Sequence, residues 1–149
     1  MDRCNIANEK HDLGFNCAQS VLAAFADKTG ITDQQLMSLS GGFGGGTGTG
    51  ELCGAVSGAV MALGLMTPVD MNEPVASKKR TQALSKEFQK RFVEKFDALR
   101  CQDLLKKQFA PDERTPAAVK MGITGHCSVM IVTAVEILED MLAEQEENR

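Results

Sequence analysis

The chain is 149 residues long, with 43% hydrophobic residues, 24% charged residues and a formal net charge of -4. That length suits one domain with a buried core, and the balance of apolar and charged residues excludes global disorder. Neither a basic face nor any Trp or Tyr is available for nucleic acid, so a nucleic-acid module is excluded as well.

The first dozen residues, from Met1-Asp2-Arg3-Cys4 onward, are polar and charged. They hold no signal-peptide apolar stretch, which predicts a cytoplasmic protein. A first helix is expected over about 17–29, with Asn16 as its N-cap and Val21, Leu22 and Phe25 on one face. Gly30 stands at its stop position. Thr32 or Asp33 can cap a short second helix carrying Leu36, Met37 and Leu39.

Residues 41–50 then hold seven glycines in ten positions, which no regular helix survives. They match neither GxxxxGK[ST] nor GxGxxG, so no nucleotide is expected. Successive N–H groups in such a loop can form a concave anion nest of the kind found at iron–sulfur sites. Gly44, Gly45, Gly46, Gly48 and Gly50, with Gly54 beyond them, are therefore the candidate cofactor-binding glycines. A flexible lid is the alternative.

A third helix is expected from about Glu51 to Met66. The apolar run Leu52 to Met66 is 15 residues, short of the roughly 20 that a bilayer span needs, so no membrane span is expected. Gly54, Gly58 and Ala62 repeat every four positions and make a smooth stripe against which another backbone can pack. A fourth, amphipathic helix is expected over about 75–100, with Leu84, Phe88, Phe92 and Phe96 as a core ridge. A short helix can open at Cys101. Ala110-Pro111-Asp112 and Thr115-Pro116 mark a loop. The last helix starts near Gly125-His126-Cys127 and dissolves into the acidic tail Glu144 to Glu147. The fold expected is all-α, a single-domain bundle over 1–149 with about five helices and a Gly-rich loop before the third.

Cys17, Cys53 and Cys127, with Cys101 as a fourth, fall at expected helix N-termini, where N–H groups and the dipole favour thiolate. One terminus supplies about 0.3–1 kcal/mol, enough to move a thiol by up to roughly one pKa unit. Two thiolates about 4 Å apart repel by ~4 kcal/mol at an effective dielectric of 20. Four converging cysteines therefore bind a cation or cluster, pair as disulfides, or stay mostly protonated. Their long spacings contain no CxxC, which excludes zinc-finger, thioredoxin, ferredoxin-run and haem-attachment signatures. Spacing alone leaves a further reading open, in which the thiols are simply core. His126 beside Cys127 can ligate, act as a base or face solvent, and His11 is expected at the surface.

The stretches Asn16-Cys17-Ala18-Gln19-Ser20-Val21 and Gly48-Thr49-Gly50-Glu51-Leu52-Cys53-Gly54-Ala55-Val56-Ser57-Gly58-Ala59 carry a recognisable pattern, with Cys53 to Gly58 as its CGAxxG element. Together with Cys101 and Cys127 they resemble the redox-active protein family named for its C_GCAxxG_C_C cysteines, over about 10–143. Cys4 lies outside the pattern.

The resemblance implies a small helical protein whose four cysteines are its redox or metal-binding groups. Its partners would be electron-transfer or transport-associated proteins, and self-association into a homo-oligomer is compatible with it. The leading expectation is an iron–sulfur cluster or other thiol-bound metal held by Cys17, Cys53, Cys101 and Cys127 for electron transfer. A second is metal-free thiol–disulfide chemistry, with Cys53 attacking and Cys17 among the partner thiols. A third is a non-catalytic helical interaction module with buried cysteines.

Overall fold

A computed structural model describes residues 1–107 and 115–148. Asp2 opens the first helix, α1 (Arg3–Asp12), by accepting from the Asn5 N–H at 3.1 Å. Composition does not announce α1, because only Cys4 and Ala7 on it are buried. Asn16 opens α2 (Cys17–Ala23) with a capping box, its side chain taking the Gln19 N–H while Gln19 returns a bond to the Asn16 N–H.

The single helix expected over 17–29 is broken at Ala24–Phe25, and α3 (Ala26–Thr29) follows separately. The Ala24 carbonyl released by the break accepts from Arg3 Nη1 at 2.7 Å, and the same guanidinium grips both carboxylate oxygens of Asp27. It also lies 4.9 Å above the Phe25 ring, so α1 is fastened to the break itself. Gly30 ends α3 in the left-handed region at φ 73, the stop expected of it. Thr32, rather than Asp33, caps α4 (Asp33–Leu39) through a second capping box with Gln35.

The glycine segment closes in a left-handed turn over Gly46–Gly50, with the Glu51 N–H donating to the Gly46 carbonyl at 3.0 Å. Helix α5 (Gly54–Met66) starts three residues later than expected from Glu51. Leu52 instead forms an isolated antiparallel bridge with Arg100. The Cys53 N–H donates to the Leu99 carbonyl at 2.8 Å and the Cys101 N–H to Glu51 at 2.6 Å. That bridge also ends the expected 75–100 helix early: α6 (Pro74–Phe96) stops at Asp97, in the left-handed region at φ 58. Then come α7 (Cys101–Leu105), α8 (Pro116–Lys120) and α9 (His126–Glu147).

Two corrections fall in this last part of the chain. Thr115-Pro116, expected as loop, opens α8, because a proline at the first helical position needs no N–H partner. Residues 144–147, expected to dissolve, stay helical, and Arg91 on α6 forks onto both Glu144 oxygens at 2.7 and 3.1 Å. The expected loop at Ala110-Pro111-Asp112 lies outside the described residues.

The described residues hold nine α-helices rather than about five, and no β-strand. The surplus comes from α1, the break in the first expected helix, α7 and α8.

Helix α5 lies against α2, α6 and α9. The small-residue stripe faces α2, where a Cβ on Gly58 would stand 2.6 Å from the Ala18 carbonyl oxygen and 2.9 Å from its Cα. Phe88, Phe92 and Phe96 form the expected ridge, all buried, with ring centroids 6.2 and 4.8 Å apart in succession. No helix among the described residues is long and apolar enough to cross a membrane.

Candidate functional site

The close α2–α5 contact governs the site, because each helix begins with a cysteine. Cys17 is the first residue of α2 and Cys53 the N-cap of α5. Cys101 is the first residue of α7, and Cys127 lies in the first turn of α9. All four line one cavity of ≈ 140 Å³, completed by Gly45, Gly54, Leu104, Leu105 and Met130. The bridge at Leu52 and Arg100 holds the Cys53 and Cys101 segments side by side, and the Glu51–Arg100 ion pair at 3.2 Å closes its outer edge.

Leu104 and Met130 each stand three residues after a cysteine, on the same helical face. That i, i+3 spacing is the sequence signal from which they could have been found. Leu105 stands four residues after Cys101, again on the same face; it is 54% exposed and forms the outer wall.

The candidate glycines divide by position. Gly45 and Gly54 line the cavity. Gly44 packs on the Asn16 side chain and Gly50 on Gln102, while an added Cβ at Gly48 would meet nothing within 4 Å. Gly46 serves the turn itself: at φ 62, a Cβ there would lie 2.4 Å from the Glu51 nitrogen. Most of the loop's glycine is thus accounted for by backbone closure.

The four sulfurs are not equivalent. Burial pushes Cys53 up to about 11, against the opposing pull of the Ala55 and Val56 N–H groups. Burial and then the neighbouring Cys127 raise Cys101. Cys17 is raised first by its neighbour Cys127 and second by burial. Cys127 is held below the ordinary thiol value of 9.0 by its neighbour Cys17, although its own burial opposes this. Cys127 is thus biased toward the thiolate, and Cys17, Cys53 and Cys101 toward the neutral thiol.

As soft donors, four thiols suit an iron–sulfur cluster, zinc or copper(I). As they stand, no group of three or more His, Cys, Asp or Glu side chains among the described residues is disposed to hold a metal ion.

The histidines lie outside the cavity lining. His126 Nε2 contacts the Lys107 carbonyl. His11, expected at the surface, is half-buried, with its Nδ1 3.3 Å from Ser128 Oγ in the turn that carries Cys127. Cys4 is buried elsewhere, its Sγ 3.7 Å from the Val132 carbonyl.

Fold and site together define an all-α protein with four helix-start cysteines around one cavity. The chain belongs to the C_GCAxxG_C_C family, whose model, described as "Putative redox-active protein (C_GCAxxG_C_C)", matches residues 15–141. Helix α1 and Cys4 precede the match. No curated protein and no solved structure matches the chain significantly.

Proposed function

We propose that the protein performs thiol–disulfide redox chemistry, with Cys17 and Cys127 as the exchanging pair. The observation that carries this reading is the placing of Cys17, at the start of α2, and Cys127, in the first turn of α9, on the wall of one shared cavity. Such a pair is poised for oxidation. Cys127, as thiolate, attacks the oxidant, and Cys17 closes the disulfide on the sulfur that results. The two sulfurs give up two electrons to the oxidant, and the proton of Cys17 leaves with the reduced product.

Cys53, expected from the sequence to attack, is the less suitable nucleophile, because its burial favours the neutral thiol. Cys53 and Cys101 shape the pocket and hold S–H groups toward it. A cluster-bound form would require the cysteines to rearrange before they could act as ligands.

The test is a thiol count and peptide map of the protein purified without oxygen, before and after mild oxidation with diamide. Loss of two thiols and a Cys17–Cys127 disulfide are expected, reversed by dithiothreitol. Unchanged thiols after oxidation would refute the reading. Stoichiometric iron and sulfide in the anaerobic protein would replace it with the cluster.

A further inference from the structure

The cavity wall limits what can oxidise the pair. At ≈ 140 Å³ it is close to the roughly 150 Å³ apolar cavity that holds one benzene. The two peptide arms of a molecule such as oxidised glutathione do not fit in such a space. No Lys, Arg, His, Asp or Glu is among the nine described lining residues, which are four cysteines, two glycines, two leucines and one methionine, so the pocket offers no cation. An anionic oxidant would lose its hydration there with no cation to offset the loss, a far larger cost than a small neutral oxidant meets.

We propose that the oxidant taken by this cavity is a small neutral hydroperoxide, reduced by Cys127 and Cys17 in sequence. This rests on the dithiol reading above and adds the substrate class to it. Cys127 sulfur attacks one peroxide oxygen, the O–O bond breaks, and a sulfenic acid forms while hydroxide leaves. The Cys17 S–H, on the wall of the same cavity, gives its proton to that hydroxide, yielding water. Cys17 sulfur then attacks the sulfenic sulfur and expels a second hydroxide, leaving the disulfide. Two sulfurs lose one electron each and the O–O bond gains two; one thiol, one thiolate and one hydrogen peroxide become one disulfide, one water and one hydroxide. An external dithiol restores the reduced pair.

The experiment compares hydrogen peroxide with oxidised glutathione at equal concentration on the reduced protein, following free thiols and intact mass. Access governs thiol-exchange rates, so hydrogen peroxide should be faster by roughly a hundredfold or more. Cys17→Ser should leave the sulfenic acid unresolved and trapped by dimedone on Cys127. Leu105→Ala removes part of the outer wall and should narrow the preference by raising the glutathione rate. Equal rates for the two oxidants in the starting protein, or a dimedone adduct on another cysteine, would overturn the inference. If diamide forms the Cys17–Cys127 disulfide while hydrogen peroxide does not, the peroxide step fails and the dithiol reading stands. If neither forms it, both fail.

Discussion

Gly58→Ala and Gly64→Ala are the same substitution in the same helix, and the structure gives them opposite signs. At Gly64 an added Cβ meets nothing within 4 Å. The gain is then helix propensity alone, roughly 0.5–1 kcal/mol in a helix interior. At Gly58 the new methyl would sit 2.6 Å from the Ala18 carbonyl oxygen, 2.9 Å from its Cα and 3.1 Å from its carbonyl carbon. None of these is a flexible side-chain end, so α2 itself must retreat by several tenths of an ångström. Overpacking of this kind costs about 1–3 kcal/mol, more than the propensity gain returns.

The displacement also reaches the sulfurs, because Ala18 follows Cys17 directly. Gly58→Ala should shift Cys17 relative to Cys127 and raise the pH at which Cys127 becomes reactive. Urea unfolding gives the stability difference, and iodoacetamide labelling of Cys127 against pH gives the second readout. If Gly58→Ala were as stable as Gly64→Ala and labelled like the starting protein, the account of the α2–α5 contact would be wrong.

Three other outcomes are expected. Cys17→Ala removes the neighbouring thiol, so the labelling midpoint of Cys127 should rise toward the ordinary thiol value of 9.0; a midpoint that stays put would remove Cys17 as the cause. Cys53 is raised to about 11 at 4% exposure, so its contribution is complete below the unfolded thiol value near 8.5 and is lost as pH climbs through about 11, on the order of 2–3 kcal/mol in all. Urea midpoints at pH 8 and pH 11 should therefore converge for Cys53→Ala relative to the starting protein, and parallel losses would contradict this. Asp97, left-handed at φ 58 where α6 ends, should be replaceable by glycine with a gain of about 0.5–1 kcal/mol in thermal unfolding, and a loss there would show that its side chain matters more than its backbone.

Much of the fold could be read because its punctuation is local. Asn16 and Thr32 bind N–H groups three residues ahead, so their capping boxes are written in adjacent letters. The Phe88–Phe92–Phe96 ridge and the small-residue face of α5 repeat at helical spacing for the same reason. Helix α1 escaped because its stability comes from elsewhere: Arg3 reaches Ala24 and Asp27, and Cys4 reaches α9. The break at Ala24–Phe25 was hidden in turn, since the partner of the freed carbonyl lies 21 positions away.

The sequence by itself determined that Cys17, Cys53, Cys101 and Cys127 each stand at a helix start, because caps, glycines and periodicity act within one or two turns. Only the tertiary structure decided that these sulfurs share a cavity, and that Cys127 is biased toward the thiolate while Cys53 is biased toward the neutral thiol. Burial and hydrogen bonding set a thiol's ionisation, and both depend on neighbours the chain brings together only when folded. Cys17 and Cys127 are separated by most of the protein, and it is α2 closing on the bare face of α5, with α9 alongside, that turns two helix starts into a pair.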